Sequence, residues 1–135
     1  MPQTILDTSR LVSWWRDRAK ADGRPLDMVT MKNAEAWANA LLEWRPGVIV
    51  SPVEIEFLAG ARSSHELQLF RSYLAQFENI DEGKILPQDW KKASQYAARV
   101  PRNRKPRHFG DCLIQAIADR LHCVVDTLDQ HFAGK

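Results

Sequence analysis

The sequence predicts an α/β fold, with helices on both faces of a mostly parallel sheet. Three observations predict it. Short apolar runs stand at Thr4-Ile5-Leu6, Val48-Ile49-Val50 and Cys123-Val124-Val125, with a weak fourth around Ile80. Between them, apolar residues recur at spacings of three and four, the mark of one buried helix face. The order β, α, α, β, α, α, weak β, α, α, β is the alternation that parallel strands with helical crossovers require. At 135 residues the length predicts one domain, 1–135, large enough to bury a proper core.

The first strand ends at Asp7, followed by Thr8 and Ser9. A helix over about Arg10 to Lys20 carries Leu11, Val12, Trp14 and Trp15; adjacent tryptophans cannot share one narrow stripe, so one faces elsewhere. Gly23 and Pro25 mark a loop over Ala21 to Leu26, and Ala34, Trp37, Leu41 and Trp44 predict a helix from Thr30 to Trp44. After the second strand, Ser51 as N-cap, Pro52 at the first helical position and Glu54 three residues on form a capping box. That assignment occupies Glu54 and leaves Glu56 available for chemistry. Gly60 and Arg62-Ser63-Ser64 break the chain before an amphipathic helix bearing Leu67, Phe70, Leu74 and Phe77. Pro87 opens another, with Trp90, Ala93, Ala97 and Val100 as its stripe. The last helix buries Leu113, Ile114, Ile117, Ala118 and Leu121, with Asp111 at its start. Val124 and its neighbours read as a strand covered on both sides, with Asp126 and Asp129 directly after it.

Composition excludes several classes. No apolar run spans a bilayer and no signal-peptide pattern opens the chain, which points to the cytoplasm. Cys112 and Cys123 are too few for a disulfide framework and read as reduced core residues. His65, His108, His122 and His131 are scattered, none at a ligand spacing from another; His108 is the one placed to touch phosphate. The net charge is +2, yet Arg99, Arg102, Arg104, Lys105 and Arg107 crowd residues 99–108 without an acid. Removing those five positive charges leaves −3 for the remainder. Such a stretch is either a solvated, proline-broken loop or a footprint for a polyanion such as RNA.

Parallel topology gathers strand ends and helix starts at one sheet edge, so Asp7, Glu56, Asp111 and Asp129 could share a crevice there. Each also has an ordinary use: Asp7 and Asp111 as helix caps, Glu56 as a surface charge, Asp129 as a turn residue. Four carboxylates in one pocket repel, and a divalent cation relieves them. Oxygen-only donors suit Mg²⁺ or Mn²⁺ rather than zinc. Such an ion polarises phosphate and activates water, so with a basic stretch alongside the natural substrate is a phosphodiester.

Four segments carry a resemblance: ILDTS at 5–9, SPVEIEFLAG at 51–60, GDCLIQAIA at 110–118 and TLDQHF at 127–132. In this order and spacing the chain resembles PIN-domain proteins, most closely the VapC-type toxin ribonucleases of bacterial toxin–antitoxin pairs. The resemblance implies a PIN-like three-layer α/β/α sandwich with a central, mostly parallel sheet of four or five short strands. It implies a Mg²⁺-dependent (or Mn²⁺-dependent) endoribonuclease whose catalytic and metal-holding acids are Asp7, Glu56, Asp111 and Asp129. Glu56 matches by standing four residues before Gly60. Thr127 is the hydroxyl of the Thr-x-Asp turn, with Thr8 or Ser9 orienting a ligand or water, and Asp126 is a neighbour without an assigned role. Arg102, Arg104, Lys105 and Arg107 are the expected RNA contacts. The resemblance further implies a homodimer and a cognate VapB-like antitoxin lying across the acidic groove. The tryptophan-rich insert from Ala21 to Trp44 departs from the family pattern. Two other readings are a PIN-fold nuclease in RNA maturation and a non-catalytic RNA-binding module of the same fold.

Overall fold

The computed structural model describes residues 2–99, 108–130 and 132. Among them run β1 (Thr4–Leu6), α1 (Thr8–Asp22), a 3₁₀ turn (Leu26–Met28), α2 (Met31–Trp44), α3 (Ser51–Ala59) and α4 (Ser64–Leu74). Then follow α5 (Pro87–Ala97), α6 (Phe109–Leu121) and β2 (Val124–Asp126).

This architecture overturns the expected sandwich around a four- or five-stranded sheet. Among the described residues the protein is mostly helical, and its only ladder is the parallel pair β1–β2, with Thr4 opposite Val124 and Leu6 opposite Asp126. The two other expected strands reduce to single parallel bridges, Ile5 to Val48 and Ile49 to Asn79. The reason is local. Pro46 and Pro52 bracket the Val48 segment, and proline cannot donate to a ladder. The Ser51 amide is diverted to Asp81 Oδ2 at 2.6 Å. Gly47 also brings the chain so close to β1 that a Cβ there would lie 2.7 Å from Leu6 Cγ. Nor is the last strand covered on both sides: it runs one residue later than expected, and Val124 is 52% exposed.

The capping box expected at Ser51 is likewise absent. Val50 is the N-cap of α3, with no side-chain cap bond. Asp81, thirty residues away, accepts instead from both the Ser51 amide and the Ser51 hydroxyl, each at 2.6 Å. Real side-chain caps stand elsewhere. Thr30 and Asn33 cap α2 reciprocally, at 3.2 and 2.9 Å, and Ser63 accepts from the Glu66 amide at 3.1 Å to cap α4.

The buried apolar residues form one cluster, with Ile5, Leu6, Leu11, Ile49, Val53, Ile114 and Ile117 among its members. Trp15 stands at the centre of an aromatic group, edge-on to Trp37, Phe70 and Tyr73 at 4.9–5.2 Å. Its neighbour Trp14 turns aside, donating to the Trp37 carbonyl at 2.7 Å and stacking on Trp44. α5 packs on α6 through only part of the expected stripe: Ala93 is buried, but together with Asp89 and Tyr96, while Trp90 is 46% exposed and Ala97 is exposed. Val100 lies outside the described residues. Asp89 caps α5 by accepting from the Leu86 amide at 2.9 Å and pairs with Arg120 of α6 at 2.8 Å. Cys112 is buried, Cys123 partly so, and neither is in a disulfide. No described helix is long and apolar enough to cross a membrane.

Candidate active site

The site is built where β1 ends and α1 begins, beside the end of β2. Asp7 is 3% exposed. It is the N-cap of α1 by position, yet its side chain makes no cap bond; its carbonyl takes the Arg10 and Leu11 amides instead. The carboxylate is held from the opposite side. Oδ2 accepts from the Thr127 hydroxyl at 2.7 Å and the Ser9 hydroxyl at 2.9 Å. Oδ1 is buried without a hydrogen-bond partner.

The turn after β2 is folded around those hydroxyls. The Asp129 amide donates to Thr127 Oγ1, and the Leu128 amide to Ser9 Oγ, both at 3.0 Å. One polar knot thus sets Asp7 and the Asp129 turn together, 122 residues apart in the chain. Thr8 serves a different acid, donating to Glu56 Oε1 at 3.1 Å.

Asp111 is the third residue of α6, whose N-cap is His108, so its carboxyl does not cap the helix. It is 8% exposed, and its Oδ2 is buried without a partner. Burial pushes its pKa up to about 7, helped by the charges of Asp7, Asp129 and Glu56 and by a hydrogen bond with Asp129. Asp7, Asp129 and Glu56 therefore all sit within electrostatic reach of Asp111. Glu56 is also pushed upward, first by burial of its carboxyl; the Thr8 bond and the charge of His108 oppose this. The residue as a whole is exposed, but its carboxyl lies flat against Gly110, where an added Cβ would stand 2.7 Å from Oε2. Glycine there is what lets α6 approach α3 at the level of the acids.

Among the described residues, no three His, Cys, Asp or Glu groups are placed closely enough to enclose an ion. The chemistry of the donors nevertheless fits a hard divalent cation: oxygen only, mutually repelling, with two buried carboxylate oxygens lacking any partner.

Asp126 stands outside this group. Arg10 and Arg45 clamp its two oxygens at 3.0 Å each, while its carbonyl accepts from the Asp7 amide. It is a structural tie between β2, α1 and the end of α2. No local signal marked the two arginines as its partners. His65 bonds the Val29 carbonyl at 3.0 Å, and His122 closes α6 in the left-handed region at φ 56°. Arg102, Arg104, Lys105, Arg107 and His131 lie outside the described residues.

Comparison with protein-family models, with curated proteins and with solved structures finds no match to this chain.

Proposed function

We propose that this protein is a Mg²⁺- or Mn²⁺-dependent endoribonuclease acting in the cytoplasm as the toxin of a toxin–antitoxin pair. The single observation that carries the reading is the pair of buried, unpartnered oxygens, Asp7 Oδ1 and Asp111 Oδ2, within a group of four interacting acids. Leaving buried carboxylate oxygens unpaired is costly unless something positive lies beside them. Asp7, Asp111 and Asp129 are the residues that would hold the cation, with Glu56 at their margin. A bound divalent ion supplies Lewis acidity toward a phosphate oxygen and lowers the pKa of its water.

The protein's own groups do the rest. Ser9 and Thr127 occupy one face of the Asp7 carboxylate and so keep Oδ1 directed away from them. Glu56, oriented by Thr8, is the group positioned to accept a proton from attacking water. Arg102, Arg104, Lys105 and Arg107 hold the RNA backbone and add affinity without reading bases. The partners this reading requires are an RNA substrate, a VapB-like antitoxin presenting a cation to the carboxylates, and a second copy of the chain.

The test is cleavage of total RNA with Mg²⁺ and with a chelator. Asp7→Asn keeps an oxygen for the Ser9 and Thr127 hydroxyls, so the fold should persist while cleavage is lost by at least a hundredfold. Undiminished Mg²⁺-dependent cleavage by that variant overturns the assignment. Expression without a partner should arrest growth, and Asp7→Asn should relieve the arrest.

A further inference from the structure

A cavity of about 370 Å³ has Glu56, one of the four acids, in its lining. Apart from Glu66, a buried carboxylate beside Arg62, its other lining is aromatic, aliphatic or cationic. Trp15, Phe57 and Phe70 contribute aromatic surface and are each at most 7% exposed, so they form its floor. Arg16 and Arg62 line it too and are exposed, which puts two guanidinium groups at its mouth. The Arg62 side chain is 89% exposed and only 3.8 Å from Glu66, a distance that leaves its fork free for another anion. The floor is rigid, because Trp15 and Phe57 each pack edge-on against Phe70, at 5.2 and 4.5 Å.

We infer that this cavity receives one unpaired base of the RNA, next to the phosphate presented to Asp7, Asp111 and Glu56. The inference rests on the nuclease reading and adds a base-binding subsite to it. Its size lies at the small end of ligand pockets, room for one nucleoside and not for a base pair in its stack. Aromatic walls suit the flat apolar face of a base, and cations at the mouth suit the phosphate attached to it. Glu56 belongs to both sites, so the cavity adjoins the acidic group at that residue. Selectivity then comes from which base fits the cavity, separately from the backbone contacts.

The experiment titrates the whole protein, in EDTA to prevent cleavage, with each of the four ribonucleoside 5′-monophosphates, following backbone amide NMR shifts. Shifts at Val12, Ala19 and Gly60, which also line the cavity, that saturate for at least one nucleotide are expected. Ala19→Phe, which fills the cavity, should weaken that binding at least tenfold. Arg16→Gln with Arg62→Gln changes only exposed side chains, sets no new charge against the buried Glu66 and should weaken it severalfold, which guards against a misfolded cavity variant. In Mg²⁺, the preferred nucleotide should flank the cut in single-stranded RNA, and the same sequence in a duplex should resist. If no nucleotide moves those amides while the protein still cuts RNA, the cavity assignment is overturned and the nuclease stands. If nucleotides bind there and no cleavage occurs under any divalent ion, the cavity assignment is supported and the nuclease reading falls.

Discussion

Asp111 carries the clearest consequence at the scale of single residues. Its folded pKa of about 7 lies above the ordinary 3.8, so between those values the native state holds a proton that the unfolded chain has lost. Stability from this group is therefore greatest below pH 4 and falls as pH rises to 7, above which the full penalty remains. Asp111→Asn removes the penalty. After discounting for water around the carboxyl, the variant should gain about 1–2 kcal/mol at pH 8, roughly 3–8 °C in Tm. Thermal melts in EDTA should show that gain vanishing near pH 4. Saturating Mg²⁺ at pH 8 should raise the Tm of the unsubstituted protein and leave the variant nearly unmoved. Gly110 makes a second point. The nearest atoms a methyl group meets there are the far end of the Glu56 side chain, which can turn aside, so Gly110→Ala should melt within a few degrees of the parent. Its RNA cleavage should nonetheless fall about tenfold or more, as the Glu56 carboxyl is pushed off Thr8.

Elements are joined by buried ion pairs whose loss has a defined size. Asp89 is 1% exposed, and Arg120 is its bond from α6 to α5. Arg120→Ala leaves a buried carboxylate with only the Leu86 amide, and should lower stability by about 2–4 kcal/mol in urea unfolding. Arg120→Met, keeping the stem, should lower it almost as much, since the charge rather than the packing is lost. At this scale the sequence was legible for helices and poorly legible for strands. Helix faces are written in local spacing: α2 begins after Thr30 and ends at Trp44, where the apolar rhythm and its cap place it. A three-residue apolar run has no such internal evidence. Whether Val48 to Val50 ladders or merely touches depends on Pro46, Pro52 and Asp81, the last of which reaches it from thirty residues away. The α5 stripe misled for a related reason, since the buried Asp89 and its distant arginine override the apolar pattern around Trp90.

For the whole molecule, the acids were legible because each follows a boundary that the chain marks locally: a strand end, a helix start, a glycine. What holds them was not. Ser9 and Thr127 meet across 118 residues, and Arg10 reaches Asp126 across 116, contacts that no local pattern encodes. The same distances predict how damage spreads. Ser9→Ala removes a bond to Asp7 and the acceptor for the Leu128 amide together. It should lower stability by about 1–2 kcal/mol and loosen residues 127–129, read as faster amide exchange there than in α2.

β1 lies between β2 and the Val48 bridge, so the earliest-made strand has both neighbours still to come. On a ribosome, Asp7 emerges more than a hundred residues ahead of the hydroxyl of Thr127 that steadies it. A nascent chain thus carries Asp7 without the means to aim it, and under the nuclease proposal the message being read would stay uncut until translation has passed β2.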